Sequence, residues 1–128
     1  MGCSEGTRAL VAELFTAAVC PAVFDADALN CLADLDIPQL RSSFPRVLTP
    51  HPGELRRLLG RADSEPVTER LEAARELAER YDAVAVLKGA GTVVAQPDGS
   101  CRLNPTGNAG MATGGSGDVL TGVIAALL

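Results

Sequence analysis

The chain has 128 residues, with 16 acidic and 11 basic side chains and a formal net charge of −5. We expect one domain at most from this length, and the negative charge argues against nucleic acid as a partner. No apolar stretch reaches the length of a membrane span and no secretory signal is recognised, so we expect a cytoplasmic protein without membrane attachment. The four cysteines form no C-x-x-C pair, which favours reduced core thiols over a zinc site.

An amphipathic helix begins the chain and leads to a short buried strand. Ser4 is the expected N-cap of the helix, and Pro21 ends it before the strand Ala22–Phe24. The six residues after this strand read DADALN. Ligands of open α/β sheets bind beyond the carboxyl ends of the strands, so these side chains could position a ribose, a metal or a water. Alternatively, Asp27 simply caps the next short helix.

A second short strand, Arg46–Leu48, is followed by the residues TPHPGE. Two prolines within three residues stiffen the backbone around His51 and place its imidazole at another strand end. His51 is therefore either a site residue or a surface and capping residue. Glu54 begins the next helix, where it either serves the helix dipole or holds a cation. Gly60 is expected to end that helix in a left-handed conformation.

A fourth helix, roughly Val67 to Arg80, precedes the apolar run Ala83–Leu87, which is typical of a strand covered on both faces. We interpret the charged face of this helix as solvated surface. The strand is followed by KGAGT, residues Lys88 to Thr92. A lysine followed by small residues can meet a phosphate with its ammonium and with backbone amides, or can simply form a tight turn. A β-hairpin around Pro97–Gly99 comes next.

The last stretch combines a glycine-rich loop with an apolar helix. Asn104 to Gly117 contains five glycines, and the residues that follow carry apolar side chains at helical spacing. Glycines let backbone N–H groups approach a phosphate, and the first helical turn has free N–H groups with partial positive charge. Asp118 lies at the start of this helix, where it is either a plain N-terminal cap or a base beside a bound phosphate.

The alternation of helices and strands predicts an α/β fold with a largely parallel sheet and helices on both faces. The segments that follow the strands, at Asp25, Thr49, Lys88 and Asn104, should then gather along one edge of the sheet. This edge is the predicted site.

Three runs point to a known family. The sequences TPHPGELRRLLG, LKGAGTVVAQPDG and NPTGNAGMATGGSGDVLTGVIAALL closely resemble the ADP/ATP-dependent NAD(P)H-hydrate dehydratases of the ribokinase-like superfamily, and DADALN fits the same family. The resemblance implies a three-layer αβα ribokinase-like sandwich with a mostly parallel central sheet. Family domains are considerably longer, so residues 1–128 are expected to form a partial domain, incomplete at both ends. Apolar helix faces should then lack partners.

The resemblance also implies a repair reaction. These enzymes remove water from the S-epimer of hydrated NADH or NADPH at the expense of ADP or ATP. A hydroxyl of the hydrate takes a phosphoryl group, phosphate is eliminated, and Mg2+ would neutralise charge on the transferring group. The implied partners are the NAD(P)H hydrate, an adenine nucleotide and the NAD(P)H-hydrate epimerase, and the full-length protein is expected to be a homo-oligomer.

Single residues acquire roles from the same resemblance. Asp118 is the implied catalytic base. The residues implied to contact the hydrate are Gly2, His51 and Asp118. Glu54 matches a glutamate that helps to organise Mg2+ in related kinases. The implied nucleotide-binding residues are Lys88, Gly89, Ala90, Gly91, Thr92 and Gly117. The implied anion hole consists of Gly115, Ser116 and Gly117.

Two other functions stay open. A small-molecule kinase of the same superfamily, acting on a hydroxymethylpyrimidine- or hydroxyethylthiazole-like alcohol, would use the same anion hole and Asp118. The runs TPHPGE and NPTGNAGMATGGSGD argue against it, because they resemble the hydrate binders. A non-catalytic nucleotide-binding fragment is favoured by the short chain and disfavoured by the intact KGAGT and GSGD segments. The residues do not decide between ADP and ATP.

Overall fold

The computed structural model describes residues 3–35, 41–62 and 69–128, and a five-stranded sheet in the order β1-β2-β3-β4-β5 lies at its centre. The strands are β1 Ala22–Phe24, β2 Arg46–Leu48, β3 Val84–Leu87, β4 Thr92–Ala95 and β5 Cys101–Asn104. The helices are α1 Glu5–Ala17, α2 Asp27–Ala33, α3 Pro52–Leu58, α4 Arg70–Tyr81 and α5 Ser116–Leu127, and a 3-10 turn covers Ala109–Met111. No helix in these ranges is both long enough and apolar enough to span a membrane.

The sheet is parallel in its first half and antiparallel in its second. β1, β2 and β3 run parallel, whereas β4 pairs with β3 and β5 pairs with β4 in antiparallel register. A parallel connection needs a crossover of a dozen or more residues, and the segment between β3 and β4 is far too short for one. The predicted hairpin is confirmed, and it limits the parallel part of the sheet to three strands.

One face of the sheet forms the core with helices α1 to α4. Phe24, Leu48 and Ala85 stand in register on neighbouring strands, so their side chains share that face. Phe15 of α1 and Leu77 of α4 are fully buried against this face. Helix α5 contacts β1 but contributes no residue to this core.

The cysteines differ in their surroundings. Cys31 is buried, Cys3 and Cys101 are half-buried, and Cys20 is exposed; all four are free thiols. The expectation of core thiols is therefore wrong for Cys20, which lies just after the end of α1, where the chain turns toward β1.

The strand ends gather along one edge, as predicted. The Thr49 N–H donates to the carbonyl of Phe24 at 3.2 Å, and the Lys88 N–H donates to the carbonyl of Pro50 at 2.8 Å. Asn104 lies opposite Thr92 in the hairpin register. The segments after β1, β2, β3 and β5 are therefore neighbours, and this edge holds the candidate site.

A buried arginine fixes the opposite end of β2. Arg46 is 1% exposed, and its guanidinium donates to the carbonyls of Phe15 at 2.6 Å, Cys20 at 2.7 Å and Ala18 at 2.8 Å. The last carbonyls of a helix have no partner within the helix. Arg46 supplies donors at the end of α1 and so ties that helix to the sheet.

We predict that Arg46→Met lowers the free energy of unfolding by about 3 kcal/mol, because it leaves buried carbonyls without donors. Urea denaturation measures this loss. The control is Arg61→Met, which removes an exposed pair with Glu76 and should cost less than about 1 kcal/mol. An equal decrease in the free energy of unfolding for the two variants would contradict the proposed role of Arg46.

The outer face of α5 supports a second prediction. Val119, Val123 and Leu127 are 67%, 52% and 82% exposed. An exposed apolar stripe of this kind binds hydrophobic dyes. The 128-residue chain should therefore enhance ANS fluorescence, and a Val119→Ser/Val123→Ser variant should lower the signal. Val19→Ser, at a single exposed valine after α1, is the control; a monomeric chain that binds no dye would contradict this prediction.

Candidate active site

An ion pair joins two strand ends at this edge. The Lys88 ammonium donates to Asp25 Oδ1 at 2.7 Å, and the two side chains are only 23% and 13% exposed. Asp25 follows β1, and Lys88 follows β3. Because the pair is largely shielded from water, it links the two outer parallel strands at their carboxyl ends.

The first turns of α5 dock on this pair. The Thr121 hydroxyl donates to Asp25 Oδ2 at 3.2 Å. Gly117, one helical turn earlier, lies so close that a Cβ there would be 3.5 Å from Asp25 Oδ2 and 3.8 Å from Lys88 Nζ. A long side chain at this position would project into the ion pair. Residues 117 and 121 share a helix face, so that face of α5 rests on Asp25 and Lys88.

Asp25 is held in its charged form. Burial by itself would raise the pKa of its carboxyl, but the hydrogen bond and charge of Lys88 outweigh burial, with help from Thr49 and the Ala26 N–H. The net effect is a pKa below the usual range. Asp25 is therefore a fixed anion at neutral pH.

The KGAGT loop has backbone N–H groups that no described acceptor uses. Gly89 has φ +141° and Gly91 has φ +67°, conformations that favour glycine. The Thr92 hydroxyl donates to the Gly89 carbonyl at 3.3 Å. Within the described ranges, no acceptor takes the backbone N–H of Gly89, Ala90 or Gly91. A cavity of about 330 Å3 lies between the loop and the start of α4, with Arg70, Ala90 and Gly91 in its wall.

Asp118 is not the N-cap of α5. Gly115 takes that position in a left-handed conformation, with φ +86°, and Asp118 lies in the first turn. In the part of the chain that the structure describes, no donor contacts the exposed Asp118 carboxylate. The plain cap is thus excluded, and the carboxylate is accessible. Of the implied anion hole, the Ser116 N–H is already bonded to the Thr113 carbonyl at 3.2 Å.

His51 and Glu54 cap each other at the start of α3. His51 Nδ1 accepts from the Gly53 N–H at 2.9 Å and from the Glu54 N–H at 3.3 Å. Glu54 Oε2 accepts from the His51 N–H at 2.8 Å. Two N–H donors on Nδ1 place the imidazole proton on Nε2. The capping interpretation of His51 is confirmed, and its ring is half exposed.

The structure brings together some of the predicted site residues. Lys88 and Gly117 are neighbours. The Lys88 N–H donates to the carbonyl of Pro50, the residue before His51, so the cap formed by His51 and Glu54 lies near Lys88. Gly2 lies outside the described residues. Asp25 belongs to the DADALN segment noted in the sequence, but its partner Lys88 is 63 residues away. The contact of Thr121 was not predictable from the sequence, because a threonine within an apolar helix belongs to no recognised motif.

The chain is similar in sequence to known proteins. The NAD(P)H-hydrate dehydratase family model matches residues 1–128. The chain is 55% identical over 118 residues to the bifunctional NAD(P)H-hydrate repair enzyme Nnr of Moorella thermoacetica, which covers 92% of this chain and 22% of the relative. It is 45% identical over 125 residues to the ADP-dependent (S)-NAD(P)H-hydrate dehydratase of Bacillus subtilis. This match covers 98% of the chain and 43% of that relative.

A solved structure is similar throughout the chain. The ADP/ATP-dependent NAD(P)H-hydrate dehydratase from Bacillus subtilis, co-crystallized with ATP/Mg2+, superposes with a TM-score of 0.82 at 44% identity. The match covers 97% of this chain and 43% of that chain. It confirms the expected three-layer ribokinase-like fold. The chain spans less than half the length of each of these proteins.

We predict that Asp25→Asn destabilises the protein at neutral pH and that this difference shrinks in acid. A carboxyl with a lowered pKa contributes stability above its unfolded pKa of about 4, and the contribution disappears as the pH falls through the folded pKa. Urea denaturation at several pH values between about 2 and 7 tests this. The control is Glu13→Gln at an exposed position of α1; a pH-independent effect of Asp25→Asn would contradict the assignment.

Proposed function

The chain belongs to the NAD(P)H-hydrate dehydratase family, and we propose that it carries the core of an active site that dehydrates the S-epimer of hydrated NADH or NADPH. ADP or ATP is the proposed co-substrate. The observation that supports this most is the contact between three segments, since the glycine-rich start of α5 rests on Lys88 and Asp25 beside the KGAGT loop. These segments are the ones expected to meet phosphate.

The proposed chemistry uses an accessible base beside backbone donors. Asp118 takes the proton from the hydroxyl of the hydrate while that oxygen attacks the terminal phosphorus of the nucleotide. The bond from this phosphorus to the bridging oxygen breaks, which releases ADP from ATP or AMP from ADP. The C–O bond of the new phosphate ester then breaks to release phosphate, the neighbouring ring carbon loses a proton to water, and the double bond of the nicotinamide ring is restored. Free N–H groups of the loop and of the first turn of α5, including that of Gly117, would stabilise the negative charge on the phosphoryl group.

The other implied positions stay predictions. Lys88, Gly89, Ala90, Gly91 and Thr92 are proposed to bind the nucleotide, and His51 and Gly2 the hydrate. For His51, the half-exposed ring leaves Nε2 as the group that could face a substrate, although Glu54 Oε1 lies 3.4 Å away. The assignment of Gly2 rests on the resemblance alone.

The side chains that the structure describes do not form a protein cage for Mg2+. Glu54 is 6% exposed, and its carboxylate is engaged with His51. Across residues 3–35, 41–62 and 69–128, no group of three His, Cys, Asp or Glu side chains is arranged to hold a metal ion. Mg2+ commonly binds through substrate phosphates and waters, so we propose that it arrives with the nucleotide. No step is assigned to the ion, and Glu54 as its ligand stays a prediction.

The wider setting is also proposed. A cytoplasmic location is supported by the free thiols. We further propose that residues 1–128 form part of a longer catalytic domain that acts with an NAD(P)H-hydrate epimerase and assembles as a homo-oligomer. The bifunctional repair enzyme among the relatives supports the link to a second activity.

The decisive test compares Asp118→Asn with the unmodified protein, both expressed in the complete reading frame. Hydrated NADH, Mg2+ and either ADP or ATP are supplied, and recovery of the reduced-nicotinamide absorbance is followed. Asp118→Asn should lower kcat at least about 100-fold, the usual contribution of a general base. The control is Asp98→Asn, in the hairpin turn, where an amide oxygen can still accept from the Ser100 N–H.

Recovery that is lost only in Asp118→Asn would support the dehydratase, and the preferred nucleotide would identify the phosphoryl donor. A folded protein that binds nucleotide without restoring absorbance would contradict it. Accumulation of a phosphorylated alcohol in that case would favour the small-molecule kinase.

A further inference from the structure

Arg70, the first residue of α4, reaches back to the KGAGT loop. Its Nη2 donates to the Gly91 carbonyl at 3.1 Å and lies 3.4 Å from the carbonyls of Leu87 and Lys88. The last two distances are near the long limit for a hydrogen bond. One guanidinium thus faces three main-chain oxygens at the two ends of the loop. Arg70 is therefore an exception to the interpretation of the charged helix face as solvated surface, which holds for the exposed Glu72, Glu76, Glu79 and Arg80.

The guanidinium is packed against the loop backbone. A Cβ on Gly89 would lie 2.9 Å from Arg70 Nη1, and Gly89 has φ +141°. Within the described ranges, Arg70 Nε is buried without an acceptor. A buried donor that lacks a partner costs stability, and an apolar side chain at this position would avoid that cost. The contacts of the guanidinium with the loop carbonyls contribute to stability, and the unpartnered Nε offsets part of that contribution.

The contacts fix the orientation of the loop peptides. In a trans peptide the carbonyl and the following N–H point in opposite directions, and the described residues contain no cis peptide. The Lys88 carbonyl faces Arg70, so the Gly89 N–H points to the opposite side of the loop. That N–H has no acceptor among the described residues. Lys88 is further held by its own N–H, which donates to Pro50, and by its ammonium, which donates to Asp25.

We propose that Arg70 is a positioning residue for nucleotide binding. It holds the loop carbonyls on one side, which presents the Gly89 N–H to the phosphates on the other side. In this role Arg70 acts through the loop, because it holds the loop carbonyls. This inference rests on the proposed function of the loop as the nucleotide site.

The same helix offers a matched control. Arg75 also lies on α4, and its Nε donates to the Gly99 carbonyl at 3.1 Å. Gly99 belongs to the β4–β5 turn, so Arg75 makes a comparable contact with a loop that has no proposed role. Arg75→Met and Arg70→Met therefore both remove a guanidinium that contacts a loop carbonyl, and Arg75→Met also removes an exposed ion pair with Glu72.

The experiment measures steady-state kinetics and hydrogen exchange in the complete reading frame. Arg70→Met should raise the KM for ADP or ATP roughly tenfold, the size expected for loss of one charge-assisted hydrogen bond, and leave the KM for the hydrate within about twofold. Arg70→Lys should fall between, because an ammonium can reach only part of the set of carbonyls. The Lys88 amide, which is hydrogen-bonded to the Pro50 carbonyl at the start of the loop, should exchange faster in Arg70→Met and at an unchanged rate in Arg75→Met.

Three outcomes would overturn the proposal. One is an unchanged nucleotide KM in a folded Arg70→Met protein. Another is an equal rise of both KM values, and the third is the same nucleotide effect in Arg75→Met. Each would reduce Arg70 to a structural role.

A failure of the proposed function is distinguishable from these results. If the unmodified protein restores no NADH absorbance, titration with MgADP and MgATP replaces the kinetics. Weaker nucleotide binding with faster loop exchange in Arg70→Met would then still support the positioning role. Unchanged binding or unchanged exchange would overturn it.

Discussion

The ion pair between Asp25 and Lys88 is the constraint on which the candidate site depends. It joins residues 63 positions apart and places the ends of β1 and β3 in contact, while β2 lies between them in the sheet. Removing either partner would leave the other charge largely shielded and unpaired, which is costly. Helix α5 then uses the same carboxylate, through Thr121, to set the position of its first turns.

Each segment proposed to bind an anion is held in place by a side-chain contact with another element of the fold. The start of α5 rests on Asp25 through Thr121, and the KGAGT loop is backed by Arg70. At the far end of the sheet, Arg46 serves the carbonyls at the end of α1 in a similar way. In the last two cases an arginine from another element occupies main-chain carbonyls, which satisfies buried acceptors that would otherwise destabilise the fold. In the loop this arrangement also points the Gly89 N–H away from Arg70.

Local signals in the sequence predicted most of the fold. Ser4 caps α1 by accepting from the Thr7 N–H, as its position before an apolar periodicity indicates. The short strands, the hairpin and the gathering of strand ends along one edge were predictable too, because they follow from apolar patterns and from the geometry of parallel strands. The motif resemblance added the family and the expected roles of Asp118 and Lys88.

The side-chain contacts that hold these segments in place were not predictable, because they join residues distant in the sequence. Arg46 follows α1 by 29 residues, and nothing in its neighbours indicates burial. Arg70 sits in a charged helix, where the pattern favours a solvated face. The function of such residues depends on which carbonyls the tertiary fold places beside them, and periodicity carries no information about that.

The pairing of Lys88 also changes the electrostatics expected for the site. Its charge is balanced by Asp25, whose pKa is held low, so the pair offers little net attraction to a nucleotide in a chain of net charge −5. A phosphate that recruits the ammonium must compete with a carboxylate already at 2.7 Å. Attraction must then come mainly from oriented N–H groups of the loop and from the dipole of α5. Such donors act only when they point at the ligand, and the proposed role of Arg70 follows from its contacts with the loop carbonyls, which fix the orientation of the loop peptides.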